Sequence, residues 1–251
     1  MTAQRQFLSA VLITHDAATQ LLDCLPGLAF ADEILIVDSG STDGTRELAA
    51  RAGARVIAHP WLGFGPQKQY AVSQARYDWV LCIDADERVP AELAAVIRAT
   101  LAQPAYGAYA MPRSNFFMGR YLRHGEGYPD WSLRLFDRRR ARWSDDVVHE
   151  KVLTQGPVGR IGRHTGLLHH SADSLAVYLD KQNRYTSLQA EMMLGQGHSA
   201  SVLQMVLSPL LRFVKFYFFK GGVLDGVPGL VHIGIGCFNS FVKYAKVRAG
   251  R

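Results

Sequence analysis

Cysteine is scarce in this chain. Three residues, Cys24, Cys82 and Cys237, stand far apart and in no C-x-x-C spacing. That pattern excludes a disulfide framework and a cysteine zinc site, and an odd, sparse set of thiols suits a reducing compartment. A leader-like start is also lacking: the apolar run 7–13 is short and leads into Thr14-His15-Asp16, so no signal peptide is expected. Internal repeats and low-complexity linkers are absent. Acid is missing from one region in particular. Beyond position 200 the only acid is Asp225, against Arg212, Lys215, Lys220, Lys243, Lys246, Arg248 and Arg251. The whole chain carries a net charge of +6, so the first 200 residues are neutral. A nucleic-acid binder spreads cations over its folded surface, and a neutral body speaks against that class. With 48% hydrophobic and 20% charged residues, wholesale disorder is excluded as well.

What is present is an alternation of short apolar runs and helical stretches. Residues 7–13, 33–37, 55–58 and 79–83 read as buried strands, and 17–28, 45–52 and 66–75 as the helices between them. These spacings suit right-handed crossovers and a largely parallel sheet. Further on, 90–102 reads as a helix, 106–112 and 133–136 as strands, and 113–130 as mostly loop. Residues 174–193 and 202–219 have helical periodicity. The apolar stretch 223–242 is long enough to cross a bilayer, but Asp225, Pro228, several glycines, His232 and Asn239 interrupt it. The expected organisation is an α/β body over 1–200 and a basic, apolar helical tail over 201–251. The tail segment LLRFVKFYFFK mixes aromatics with cations as interfacial helices do.

Two strand ends carry the candidate chemistry. Asp84-Ala85-Asp86 follows the strand WVLCI, and carboxylates at that end of a parallel sheet can share a hard divalent cation or bind a ribose. Asp38 ends the strand EILIV and is followed by Ser39, Ser41, Thr42 and Asp43. Of these, Asp43 is expected to cap the next helix and Asp38 to remain for a ligand.

Together, Thr14-His15-Asp16, ILIVDSGSTDGT, GFGPQKQYA, WVLCIDADE, PDWSLRLF and VVHEKV resemble the inverting family 2 glycosyltransferases of GT-A fold. The set is most similar to the bacterial branch that adds β-1,4-glucose to inner-core heptose of lipopolysaccharide or lipooligosaccharide. The likeness covers about residues 7–190. It implies a Rossmann-like, mostly parallel sheet flanked by helices, with the tail as a C-terminal amphipathic appendage. It also implies a UDP-sugar donor, a Mg²⁺ or Mn²⁺ cofactor and a lipid-linked core oligosaccharide acceptor. Thr14, His15, Asp16, Asp38, Lys68, Asp84 and Asp86 match its nucleotide-sugar site, with Asp84 and Asp86 also its metal carboxylates. Thr-His-Asp departs from the usual Thr-Tyr-Asn. Asp130 matches its general base, although Pro129 replaces the usual Glu. Arg134, His149 and Glu150 are candidate diphosphate or acceptor contacts.

Several alternatives stay open. Asp145, Asp146 and Glu150 are rival bases. His169-His170 can supply a metal ligand, and Arg138-Arg139-Arg140 with Arg142 can meet anionic lipid or core phosphate. Transfer to a polyprenyl phosphate or another cell-envelope glycan is the second enzymatic reading. A nucleic-acid module and a membrane scaffold with a decayed site are the non-enzymatic ones. The expected location is cytoplasmic, peripheral on the inner face of the cytoplasmic membrane.

Overall fold

The structure is a computed structural model that describes residues 6–146, 150–170 and 174–250. The chain forms two compact units, Met1–Arg113 with Asp130–His170, and Ser114–Pro129 with Ser171–Arg251. Position 200, where the charge changes, lies inside the second unit.

The elements in chain order begin with β1 (Leu8–Thr14), α1 (Ala18–Cys24, continued by a 3₁₀ turn, Leu25–Leu28), β2 (Glu33–Asp38), α2 (Thr45–Arg51) and β3 (Arg55–Ala58). There follow α3 (Phe64–Ser73), β4 (Trp79–Cys82), β5 (Glu87–Arg88), α4 (Ala91–Ala102), β6 (Ala108–Phe117) and β7 (Arg120–Tyr121). Then come β8 (Asp130–Asp137), β9 (Ala141–Trp143), β10 (Val152–Thr154), β11 (Val158–Arg160) and β12 (Leu167–His169). The end of β6, and β7 with it, belong to the second unit.

In the first unit the strands lie in the order β3-β2-β1-β4-β8-β6-β12-β5, with β11 beside β6. The first four run parallel, and β8 and β6 then join antiparallel. The apolar runs of β1, β2 and β4 are near-continuous because both faces are covered. Ala10, Leu12, Ile36, Leu81 and Ile83 pack with Leu21, Leu25, Leu93 and Ile97 on one face. Val11, Leu35, Val37, Val80 and Cys82 pack with Ala71, Val72 and Trp143 on the other. Alternate residues of each strand thus feed two layers of core.

One departure from the expected elements matters for the site. The stretch 113–130 is loop-rich as expected over 118–119 and 122–129, but β6 runs on to Phe117 and β8 already begins at Asp130, so Arg113 and Asp130 stand on strands.

The second unit is mainly helical: α5 (Leu175–Gly195), α6 (Val202–Phe213), a π-helical turn (Val214–Phe219), a 3₁₀ turn (Gly222–Asp225) and α7 (Gly226–Ala249). Ser201 caps α6 in a reciprocal box with Gln204. The glycines that interrupt 223–242 have a packing role. Gly229, Ile233, Gly236 and Ser240 form a buried stripe on α7, and Ser240 Oγ lies 2.7 Å from Ser208 Oγ on α6. A Cβ on Gly236 would meet the Glu126 carboxylate and the Arg212 guanidinium, which are themselves ion-paired. Asp225 is buried and accepts from the backbone N–H groups of Arg123 (3.0 Å) and His124 (2.8 Å).

Candidate active site

The chain lays β1, β2 and β3 outward, then returns to place β4 on the other side of β1. Such a reversal opens a crevice at the carboxyl ends of the strands, where α/β sheets take their ligands. Thr14 ends β1, Asp38 ends β2, and Asp84 and Asp86 occupy the turn after β4.

The first two strand ends are laced together. Asp38 is wholly buried. Its Oδ1 accepts from the N–H groups of Gly40 (3.1 Å) and Ser41 (2.9 Å), and its Oδ2 from Thr14 Oγ1 (2.9 Å) and the Ser41 hydroxyl. Burial alone would raise its pKa, but these hydrogen bonds hold it below the usual carboxylate value. Asp38 thus shapes the loop from beneath, and Ser39 is the neighbouring side chain that reaches solvent. Asp16 adopts a left-handed backbone (φ 46°) and accepts from Thr42 N–H at 2.7 Å. His15 is exposed beside it. Asp43 accepts from Thr45 N–H (3.0 Å) and Ala18 N–H (3.0 Å), so it joins two helix starts, while the N-cap residue of α2 is Gly44.

Around the third strand end, charges alternate. Lys68 Nζ, nearly buried, lies 3.0 Å from Asp84 Oδ1 and 2.8 Å from Glu150 Oε1. Arg134 Nη2 donates to Asp84 Oδ2 (2.6 Å) and to Glu87 Oε1 (2.7 Å). Burial would raise the Asp84 pKa, but Arg134 and Lys68 hold its carboxyl well below the ordinary range. Burial likewise disfavours the Arg134 charge, and Asp84 and Glu87 more than restore it. Glu87 is wholly buried, and its Oε2 accepts from Asp84 N–H at 3.1 Å. Asp130 opens β8 directly opposite Arg113 on β6, whose Nη2 is 2.7 Å from Asp130 Oδ2. Two buried polar atoms have no hydrogen-bond partner among the described residues: Arg134 Nε, and Oε1 of Gln67, whose Nε2 donates to Ser39 Oγ. Orphans of this kind mark where a ligand or water completes the bonding.

The expected metal pair is divided by this arrangement. Both oxygens of Asp84 already face cations, so a further cation gains little there. Asp86 Oδ2 instead lies 3.1 Å from His169 Nε2, both partly exposed. No three His, Cys, Asp or Glu side chains gather as a metal cage among the described residues. Asp86 and His169 are the residues that would hold a divalent cation, and a carboxylate with an imidazole suits Mn²⁺ better than Mg²⁺, which prefers oxygen alone.

Other expectations sort as follows. His149 lies outside the described residues. Asp145 is exposed and paired with Arg142 at 3.1 Å. The arginine run is largely spent inside the first unit. Arg138 Nη1 donates to the carbonyls of Val72, Ser73 and Ala75 at the end of α3, and Arg139 pairs with Asp137 and Asp78. Glu87 and Arg113 were not singled out by sequence. Glu87 directly follows the Asp-x-Asp triplet and was within reach, whereas Arg113 stood where a loop was expected.

The fold is an α/β sheet that brings its candidate carboxylates, Asp38, Asp84 and Asp86, to strand ends at the switch point, the place where such sheets take ligands. The glycosyl transferase family 2 model matches residues 9–157. The chain is 30% identical over 247 residues to the lipopolysaccharide core biosynthesis glycosyltransferase LpsC of Rhizobium meliloti, covering 96% of this chain and 91% of that one. It is 30% identical over 252 residues to an uncharacterized glycosyltransferase of Rickettsia typhi, covering 96% and 86%. Among solved structures, the mannosyltransferase PcManGT of Pyrobaculum calidifontis, in complex with GDP-Man and Mn²⁺, superposes with a TM-score of 0.54 at 14% identity, covering 98% and 86%. TarS 1–349 of S. aureus in complex with UDP-GlcNAc gives 0.51 at 13%, covering 95% and 81%. This chain belongs to glycosyl transferase family 2. It is a glycosyltransferase of GT-A-like fold, with a relative in lipopolysaccharide core biosynthesis.

Proposed function

We propose that the enzyme transfers a hexose, glucose from UDP-glucose, with inversion onto an inner-core heptose of lipopolysaccharide or lipooligosaccharide. The observation that carries this reading is the pairing of a donor-side carboxylate turn, Asp84-Ala85-Asp86, with Asp130 on β8, linked through Arg134, Glu87 and Arg113. The LpsC likeness supports the core oligosaccharide as acceptor.

Inversion needs one in-line displacement. The acceptor oxygen attacks the anomeric carbon, the bond to the UDP oxygen breaks, and the hydroxyl proton passes to the Asp130 carboxylate. Thr14, His15, Asp16 and the Asp38–Asp43 loop form the nucleotide end, with the His15 ring exposed for contact with the base. Lys68 and Arg134 fix Asp84. Asp86 and His169 would hold the divalent cation, which when bound neutralises the leaving diphosphate.

The enzyme would work at the cytoplasmic face of the inner membrane. Val202–Phe219 is long and apolar enough to cross a bilayer by length and composition, and none of it is buried. Leu203, Leu207, Leu210, Leu211, Phe218 and Phe219 are all exposed, with Lys215 and Lys220 among them, which suits an anionic lipid surface. The test is a panel of UDP-sugars against truncated core acceptors, with product mass and linkage determined. UDP-glucose with a heptose-terminated acceptor is expected to give a β-linked hexose product, and transfer of another sugar or to another acceptor would overturn the assignment.

A further inference from the structure

We infer that Arg113, held from behind by buried Glu87, is a positioning residue for the transfer step. It sets the direction of the Asp130 carboxylate and links it to the turn that carries Asp84 and Asp86. The inference rests on the reading of Asp130 as general base.

The strand register creates the contact. Arg113 and Asp130 are direct cross-strand partners on antiparallel β6 and β8, the closest approach that two side chains on neighbouring strands have. The guanidinium is used as a fork. Its Nε (2.9 Å) and Nη2 (2.7 Å) both meet Asp130 Oδ2, so Oδ1 carries neither contact. Its third nitrogen, Nη1, reaches Glu87 Oε1 at 3.3 Å.

Glu87 is an unusual anchor because it is completely buried and multiply bonded. The Oε1 that receives Arg113 also receives Arg134, and Oε2 takes the Asp84 N–H. One carboxylate thus fastens the Asp-x-Asp turn to arginines on two strands. A lone, partly exposed ion pair holds its geometry only weakly, because ordering two long side chains opposes it. A fork already fixed at its far nitrogen loses less freedom when it grips the base. Orientation is what the base requires, since a displacement of about 1 Å at a reacting group can cost roughly a hundredfold in rate.

The test uses the full chain, UDP-glucose and a heptose-terminated core oligosaccharide, with UDP affinity by calorimetry alongside. Arg113→Met should lower kcat by about ten- to a hundredfold, with UDP affinity within about twofold of the parent. Arg113→Lys should recover part of the loss. Placed in an Asp130→Asn background, Arg113→Met should cause no further fall, because the group it orients is already gone. Glu87→Gln should move kcat in the same direction, with melting temperature recorded to separate unfolding from misorientation. Parental kcat in Arg113→Met, or a loss that adds in full to that of Asp130→Asn, would overturn the inference. Parental kcat in Asp130→Asn alone would instead remove the base reading beneath it, so the two failures are told apart by single variants.

Discussion

Asp84 and Asp130 are both acids beside arginine, yet they are placed for different work. Asp84 has a cation on each oxygen, whereas Asp130 has both arginine contacts on one oxygen. Asp130→Asn should therefore bind UDP normally and lose transfer by at least about a hundredfold, the usual worth of a general base. Turnover near the parental rate would remove it from the mechanism. Arg134→Met should destabilise the fold by about 3–5 kcal/mol, because it leaves Asp84 and Glu87 facing each other with one cation fewer. Urea titration measures this, and an unchanged midpoint would show that the cluster carries no such load. The acidic motif was legible from sequence because it follows a buried strand. The division of labour among the carboxylates was not, since Asp38 is satisfied by amides and a hydroxyl of its own loop and by the Thr14 hydroxyl of β1, which only the fold brings round it.

The two strands that hold the base are irregular in a useful way. Between Tyr109 and Ala110 the β6–β8 register shifts, so that Ala110 faces Leu133 and Tyr109 faces Leu135. Arg134 is left as the extra residue of the bulge, and a bulge re-aims its side chain. That is how an arginine between apolar neighbours comes to point at the Asp-x-Asp turn. Sequence periodicity finds strands but does not report a one-residue slip, and β6 and β8 were expected shorter than they are because their outer ends carry polar Arg113, Ser114, Asn115, Asp130 and Ser132. In the helical unit the start of α6 rests on local chemistry. Ser201→Ala should cost about 1 kcal/mol through loss of its cap, read as a lower melting temperature. Removing residues from 201 onward would strip α7 from α5 and Asp225 from the Arg123–His124 backbone. Paired substitutions on the exposed face of α6 are therefore the cleaner probe of membrane attachment. Leu207→Glu with Leu211→Glu should release the protein from anionic vesicles in a flotation assay, and retention would mean that this face is not the contact.

Across the whole molecule, a +6 charge concentrated beyond position 200 is sharpened by the structure. The one acid of that stretch, Asp225, is buried and lies 3.1 Å from His124 Nδ1, and Arg212 is paired with Glu126, so Lys215, Lys220 and Lys243 are among the described residues left to carry the tail's positive surface. The mostly parallel sheet, with Asp38 at the end of β2 and Asp84 just after β4, followed from alternation and spacing, whereas the two-unit division did not, because Ser114–Pro129 joins the distant C-terminal helices. Stability should depend on acid in a defined sense. Asp38 and Asp84 have folded pKa values below their unfolded ones, so their contribution is present above about pH 4 and is lost as pH falls from there through the folded values. Calorimetric melting temperatures should thus be nearly level from pH 7 to about 5 and drop below 4; a rise on acidification would contradict those shifts. The most direct measurement of the central claim is the product formed from UDP-glucose and a heptose-terminated core oligosaccharide with Mn²⁺ present. The account predicts one added hexose in β linkage, lost in Asp130→Asn and in Asp86→Ala; an α-linked product, or no product from that pair while another donor is turned over, would contradict it.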